Sequence, residues 1–296
     1  MALVGTPYIT AQNFRDYLTG MDLTGITDPQ LEDYIRQASR IADNYAGITF
    51  DLAALTERHM WTDTRRLYPD NTPIPINAVK SFTIHIGSGQ RADIRLSDLF
   101  VNSRLGYVEV VSLATAIPLT AELISLGLIE VVADITYKTG YGAFAAQAIT
   151  LTNTIDADDT TFDVSTTAGL AVDDVIRFGD ESMWVIAIVD GNTVTVIRDV
   201  ATNGIHAAQH TAGAVLSKLT LAIPYEVQLA VAMIVGSIIA ARQQSEEGAT
   251  GVRSFVIGSY SVTYGSADDG RGLGGFPFVP TVAADILYGY KHISLR

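Results

Sequence analysis

Four sets of residues in this chain have types and spacings that could do chemistry. Gly270, Gly272 and Gly275 spell G-x-G-x-x-G, the glycine pattern that lets a backbone approach a pyrophosphate. That pattern works where a strand enters it and a helix opens on it; here Phe276-Pro277 follows, so no cofactor is expected. His206 and His210 stand four apart, a spacing that can hold a metal on one helix face. No glutamate completes an H-E-x-x-H frame and no third ligand is evident, so the expectation is a polar turn and no metal. Asp156, Asp158, Asp159 and Asp163 have the acidity of a calcium loop without its mid-loop glycine and terminal bidentate glutamate. A solvated turn is expected, with weak calcium binding as the alternative. Paired carboxylates for hydrolysis cannot be selected, because 32 acidic residues offer many pairs and a sequence gives no separations. There is no G-x-S-x-G elbow, no phosphate-binding G-x-x-x-x-G-K-[ST] loop and no cysteine. An enzyme is therefore not expected.

Composition narrows the classes further. With 296 residues, 48% of them hydrophobic, the chain can bury a sizeable core in one large or two modest domains. Nineteen Lys plus Arg against 32 Asp plus Glu give a net charge of −13, which opposes a phosphate-neutralising surface. The start, "MALVGTPYITAQNFRDYL", lacks the basic segment and apolar run of an export signal. The longest apolar run, Leu229 to Ala241, is short of the roughly 18 residues that cross a bilayer, so it reads as a buried helix and no membrane is expected.

The elements that would carry any site follow from periodicity. Thr10 to Leu18 reads as a short helix. In "TDPQLEDYIRQASRIADNYAGITF" Asp28 is the expected N-cap, Pro29 fits the first turn, and Leu31, Tyr34, Ile35, Ala38, Ile41, Ala42, Tyr45 and Ala46 form one apolar face before Gly47 ends the helix. Next come "TERHMWTD", "VKSFTIHI", "YVEVVS" and "LIEVVADITYKTGY", strands of an antiparallel sheet, with the proline-rich "DNTPIPIN" as a connection. From Ile149 to Ser217 the texture is all β, with "AITLTN", "TTFDVS", "DVIRFG", "SMWVIAIV" and "TVTVIRD" as strands and a tight turn at Gly191-Asn192. Ten acidic residues against two arginines give this segment −8 of the net charge. The helical period returns in "IPYEVQLAVAMIVGSIIAARQQSEEG", whose apolar residues cover nearly its whole circumference and so need cover on all sides. "SFVIGSYSVTYG" reads as a strand pair, and "VAADILYGYKHISLR" as a short terminal helix.

Taken together, "LEDYIRQASRIADNYAGITF", "IEVVADITYKTGY", "IPYEVQLAVAMIVGSIIAARQQSEEG", "IGSYSVTYG" and "DILYGYKHISLR" resemble, in order, the head-to-tail connector (adaptor, head-completion) proteins of long-tailed bacteriophages. The resemblance covers about residues 8–148 and 219–296. In that family the strand ending in "TGY" runs almost directly into the "IP" helix, so Ile149 to Ser217 departs from the pattern as an insertion. It looks like a β module that recurs in phage structural proteins.

The resemblance implies an α+β fold with a helical core and an antiparallel β-sheet, residues 1–148 and 219–296, plus an inserted small all-β domain, residues 149–218. It implies a homo-oligomeric ring, commonly of about twelve subunits, because a head-to-tail contact closes only when its rotation divides the circle. Such a ring sits in the virion neck between the portal protein and a tail-completion, stopper or tail-terminator protein, after assembly in the host cytoplasm. DNA passes through the channel transiently and without sequence specificity. Val231, Ile234, Val235, Ile238 and Ile239 are the candidate ring-packing side chains, covered inside the subunit or by neighbours. Ile286, Leu287, Tyr288, Tyr290, Lys291, His292 and Arg296 are candidates for docking on the portal, against the alternative of a helix folded back on its own core. Two rival functions remain at this point: a virion carbohydrate- or receptor-binding protein acting through the β module, and a hydrolase using the module's carboxylates.

Overall fold

The computed structural model describes residues 6–19, 21–61, 66–75, 78–86, 90–103, 105–111, 131–198, 207–247, 254–257, 260–263 and 279–291. The chain is α+β, with four helices and antiparallel sheets among the described residues. It divides into two compact units, Met1–Phe50 with Ile223–Arg296, and Asp51–Ala222.

In the first unit, helix α1 (Ala11–Tyr17) is capped by Thr10, whose hydroxyl accepts from the Asn13 amide at 3.0 Å. Helix α2 (Asp28–Ala46) starts one residue earlier than expected. Thr27 is the N-cap, and the Gln30 side chain accepts from the Thr27 amide at 3.0 Å, so Asp28 already lies in the first turn. Gly47 ends the helix in the left-handed conformation, φ +69°. Leu31, Ile35, Ala38, Ala42 and Ala46 are buried as their spacing requires, while Tyr34, Ile41 and Tyr45 are half-buried. Ser39 is buried among them because its hydroxyl donates to the Ile35 carbonyl and accepts from the Tyr8 amide. Helix α3 (Tyr225–Glu247) packs against α1, α2 and α4 (Thr281–Tyr288). A small sheet of β1 (Leu18–Thr19), β15 (Ser254–Ile257) and β16 (Tyr260–Thr263) completes the unit, with the expected hairpin in register from Ser254↔Thr263 to Ile257↔Tyr260.

The 19-residue stretch Tyr225–Gln243 of α3 has the length and hydropathy of a membrane span, more than its thirteen-residue apolar run implies, yet 72% of that stretch is buried within the chain. A helix so covered is a protein core helix.

Among its described residues the second unit holds three sheets. Strands β2 (Ala53–Met60), β8 (Val131–Thr139), β4 (Val79–Ile86) and β5 (Gln90–Ile94) form one in the order β2-β8-β4-β5. Strands β3 (Arg66–Leu67), β7 (Tyr107–Val110) and β6 (Leu99–Asn102) form a second. The third runs β10 (Thr161–Asp163), β13 (Thr193–Ile197), β12 (Glu181–Ile188), β11 (Val175–Phe178), β14 (Val215–Leu221), β9 (Gly142–Thr150). The bridge Leu151↔Val164 joins the end of β9 to the end of β10, so this sheet closes on itself at that end, around a core that includes Ile149, Phe162, Phe178 and Val196. Asp190 makes the expected turn before β13 by accepting from the Asn192 and Thr193 amides, both at 2.8 Å.

Two differences from the expected boundaries have one cause. Strand β9 begins at Gly142, ahead of 149, and β14 ends at Leu221, beyond 218; they pair from Gly142↔Leu221 to Thr150↔Val215. The contact division also sets the four-stranded sheet apart from the helices and beside the six-stranded sheet. Val175, Trp184 and Leu219 belong to the same apolar core as Phe82, Ile84, Ile135 and Tyr137, and that shared burial holds the two sheets in one unit.

The "TGY" segment shows why a glycine stands there. Gly140 has φ +105°, and a Cβ on it would lie 2.0 Å from the Asp51 carbonyl oxygen. Gly140→Ala is expected to destabilise the second unit by about 1–3 kcal/mol through backbone strain, read as a lower urea midpoint.

Candidate functional site

Three polar nodes in the second unit join side chains from different strands and turns, and the last of them is fully buried. The first is built on β2, where Glu57 and His59 are two apart and share a face. Glu57 Oε2 accepts from the Asp70 amide at 2.8 Å and lies 2.7 Å from His59 Nε2. Glu57 Oε1 accepts from Asn71 Nδ2 at 2.7 Å and faces the Tyr137 hydroxyl at 2.6 Å. Burial pushes the Glu57 carboxyl up, but hydrogen bonds from Asn71, Tyr137, His59 and the Asp70 amide outweigh it and hold the group below the usual carboxylate range. Burial, then the hydrogen bond to Glu57 and its charge, pushes the Tyr137 phenol far up, so it stays protonated and donates.

The second node lies where the four-stranded and six-stranded sheets share a core. Trp184, fully buried on β12, donates from Nε1 to Asp173 Oδ1 at 2.9 Å, and Lys80 of β4 donates to the same oxygen at 2.8 Å. The ammonium groups of Lys80 and Lys138 lie 5.3 and 6.0 Å from the Trp184 ring centroid. Lys218 of β14 pairs with Asp174 at 2.7 Å. Lys80 and then the indole N–H hold the Asp173 carboxyl low. Burial lowers Lys138, which Asp174 partly offsets.

The third node is internal to the six-stranded sheet. Glu181 and Arg198 form a bidentate pair, Nε to Oε1 at 2.9 Å and Nη2 to Oε2 at 2.8 Å, with 2% and 4% of their side chains exposed. The Ala208 amide and His210 Nε2 also reach Glu181 Oε2, at 2.9 and 2.8 Å. Arg198 donates onward to the carbonyls of Asp156 and Asp159. Burial pushes Glu181 up; Arg198, the Ala208 amide and His210 more than reverse it.

These contacts account for several residues singled out by sequence. His210 serves Glu181, and its spacing partner His206 lies outside the described residues. The four aspartates do not converge on a common point. Asp159 accepts from the Asp156 amide, Asp156 accepts from Gln209, and Asp163 accepts from Thr193. Gly270, Gly272 and Gly275 lie outside the described residues. The Glu57 node was missed by sequence reading; its signal was the i, i+2 pair Glu57 and His59 in a strand whose other face carries Arg58, but Asp70 and Tyr137 reach it only through tertiary pairing.

The first unit carries the candidate contact residues. Val231, Ile234, Val235, Ile238 and Ile239 are all buried inside the chain, so α3 takes its cover from the chain itself. Of the two sources of cover expected for these candidate ring-packing side chains, the chain itself supplies it. Leu287 is likewise fully buried, and Ile286 is half-buried, so α4 is folded onto the core of its own unit. The Tyr290 ring meets the Phe50 ring edge to face at 5.7 Å, and its hydroxyl is 3.5 Å from Glu226. Burial, then Glu226, raises the Tyr290 phenol. Tyr288 is 67% exposed, and the Lys291 ammonium lies 5.9 Å from its ring centroid. His292 and Arg296 lie outside the described residues. Among the described docking candidates, Tyr288 and Lys291 are the exposed pair.

Compared with known protein families, characterised proteins and solved structures, the chain matches none.

Proposed function

We propose that this chain is a structural adaptor of a long-tailed phage neck, a subunit of a closed ring that joins the portal to the tail and lets DNA through its channel. The observation that carries the reading is the pairing of the two chain ends. Residues 1–50 and 223–296 close into one helical unit although more than half of the chain separates them, and both ends bear the segments that resemble the connector family. On this reading the six-stranded sheet is an insertion into a helix-and-sheet adaptor core. Insertion between β8 and α3 is tolerated because its first and last strands, β9 and β14, run side by side and bring its ends together. The acidic character of that sheet also suits a neighbour of sliding DNA, since carboxylates repel phosphate where a basic wall would hold it.

With the apolar side chains of α3 already covered, ring contacts come from exposed surface elsewhere on the subunit. Docking on the portal falls to Tyr288 and Lys291, an exposed ring and cation in a cation–π arrangement. Such an aromatic and basic pair makes a good interface anchor. Deleting residues 285–296 would also remove Leu287 from the core, so surface substitutions are the sounder test. Negative-stain imaging of the purified full-length chain should show rings, and rings mixed with portal should dock on it. Tyr288→Ala with Lys291→Glu is expected to weaken portal binding by about 30-fold, the loss of roughly 2 kcal/mol at a hot spot, while circular dichroism stays unchanged. Undiminished portal binding by that double variant removes the docking assignment. A chain that stays monomeric alone and in the presence of portal removes the adaptor reading itself.

A further inference from the structure

The Glu57 node has the donors of a metal site as well as those of a hydrogen-bonded anchor. Strand β2 is an outer strand of its sheet, and its alternation sends Glu57 and His59 to one half-buried face. The chain leaving β3 folds back over that face, where the Asp70 amide is fixed to Glu57 Oε2. One ligand atom each from Glu57, His59 and Asp70 then lies within 4.8 Å of the other two. We propose that Glu57, His59 and Asp70 hold a divalent transition-metal ion that pins the segment after β3 to β2.

An imidazole nitrogen with two carboxylates is a mixed N/O donor set, suited to Zn²⁺ or Mn²⁺ more than to Ca²⁺, which takes oxygen ligands. His59 Nε2 and Glu57 Oε2 are 2.7 Å apart, with a proton between them. A metal bound at about 2.1 Å to each takes the place of that proton and, at the tetrahedral angle, needs the pair to part by about 0.7 Å. Asp70 is exposed, so its carboxylate can turn inward without disturbing packing.

The surroundings give the second, independent argument. Glu57 Oε1, the oxygen away from His59, is held by Asn71 Nδ2 and faces Tyr137, the kind of outer contact that orients a carboxylate ligand. The Tyr137 hydroxyl also lies 2.8 Å from the Asn71 carbonyl, so its single proton faces two acceptors and serves one at a time. Arg58 does not reach the node: it is on the other face of β2 in a bidentate pair with Asp134.

The test titrates ZnCl₂ into the EDTA-treated full-length protein by calorimetry, with thermal unfolding measured in parallel. One zinc per chain is expected, with an unfolding temperature that rises as zinc saturates the site. His59→Ala should remove saturable binding, and Asn71→Ala should weaken it about 10–100-fold as the carboxylate loses its orienting donor. Asp70→Asn, at an exposed side chain, guards against loss of fold. It should keep the zinc-free unfolding temperature and lose the zinc-dependent rise. His85→Ala, a histidine paired with Asp134 on the same sheet, should bind zinc as before. Absence of saturable binding in the unaltered chain, or binding that survives both His59→Ala and Asp70→Asn, overturns the assignment.

Discussion

Arg198→Ala should destabilise the second unit by about 3–5 kcal/mol, because it strands a carboxylate in the interior of the six-stranded sheet. Glu181 is 2% exposed and receives two of its hydrogen bonds from the guanidinium. Without Arg198 only the Ala208 amide and His210 remain to offset the buried charge. The guanidinium also holds the carbonyls of Asp156 and Asp159, so the turn before β10 should loosen with it. Replacing both partners by apolar residues of similar size, Arg198→Met with Glu181→Leu, should recover most of the loss, since an apolar pair has no charge to desolvate. Urea unfolding of the two variants measures both quantities.

The sign of the pH dependence follows from the depressed Glu181 carboxyl. A carboxyl whose folded pKa lies below its unfolded value contributes stability that is present above the unfolded value, about 4.3, and is lost as pH falls through the folded one. The gap between the native chain and Arg198→Ala should therefore be widest near neutrality and narrow below about pH 4, where Glu181 takes up a proton and no longer needs its cation. A gap that stays constant from pH 7 to pH 3 would show that the loss comes from packing and not from the stranded charge.

What could be read from sequence divides along the range of the interactions involved. Helix α2 was legible because Pro29, the apolar stripe and Gly47 act within a few turns, and only the cap slipped from Asp28 to Thr27. The cause is local: Gln30 reaches back to Thr27, a pairing that a cap assignment from Asp28 and Pro29 overlooks. Strands β4 and β8 were legible from alternation, but β5 and β6 were not. "QRADI" and "LFVN" are too short and too polar to stand out, and they become strands by pairing with β4 and β7. Strand β9 starts ahead of the expected boundary at Ile149 for a related reason. "GAFAAQA" has no strand signature of its own, and what makes it strand is the register of β14 opposite it. The circumference of α3 was read correctly as needing full cover, whereas the source of that cover is a tertiary fact that periodicity does not contain. The polar nodes were least legible. Glu57 meets Tyr137 across 80 positions and Lys80 meets Asp173 across 93, distances over which a single sequence carries no pairing signal.

Trp184→Ala is the second change expected to cost about 3–5 kcal/mol, and it bears on whether the six-stranded sheet moves as a separate decoration. The indole is fully buried and lies in the core that also contains Phe82, Ile84 and Ile135 of the four-stranded sheet. Its removal leaves a cavity between the sheets, takes one donor from Asp173, and deprives Lys80 and Lys138 of their shared ring. Trp184→Phe, which keeps most of the volume but loses the N–H, should cost about 1–3 kcal/mol, and the difference isolates the cavity from the hydrogen bond. Hydrogen exchange then locates the damage. If the two sheets form one cooperative body, faster exchange in Trp184→Ala should appear in β4 and β8 as well as in β11 and β12. Exchange confined to β11 and β12 would mean that the shared core is incidental and the six-stranded sheet opens independently. The cooperative outcome bears on the proposed adaptor role. A sheet joined this firmly would transmit load and fix the acidic surface at one distance from whatever the four-stranded sheet contacts, whereas a loosely tethered one would do neither.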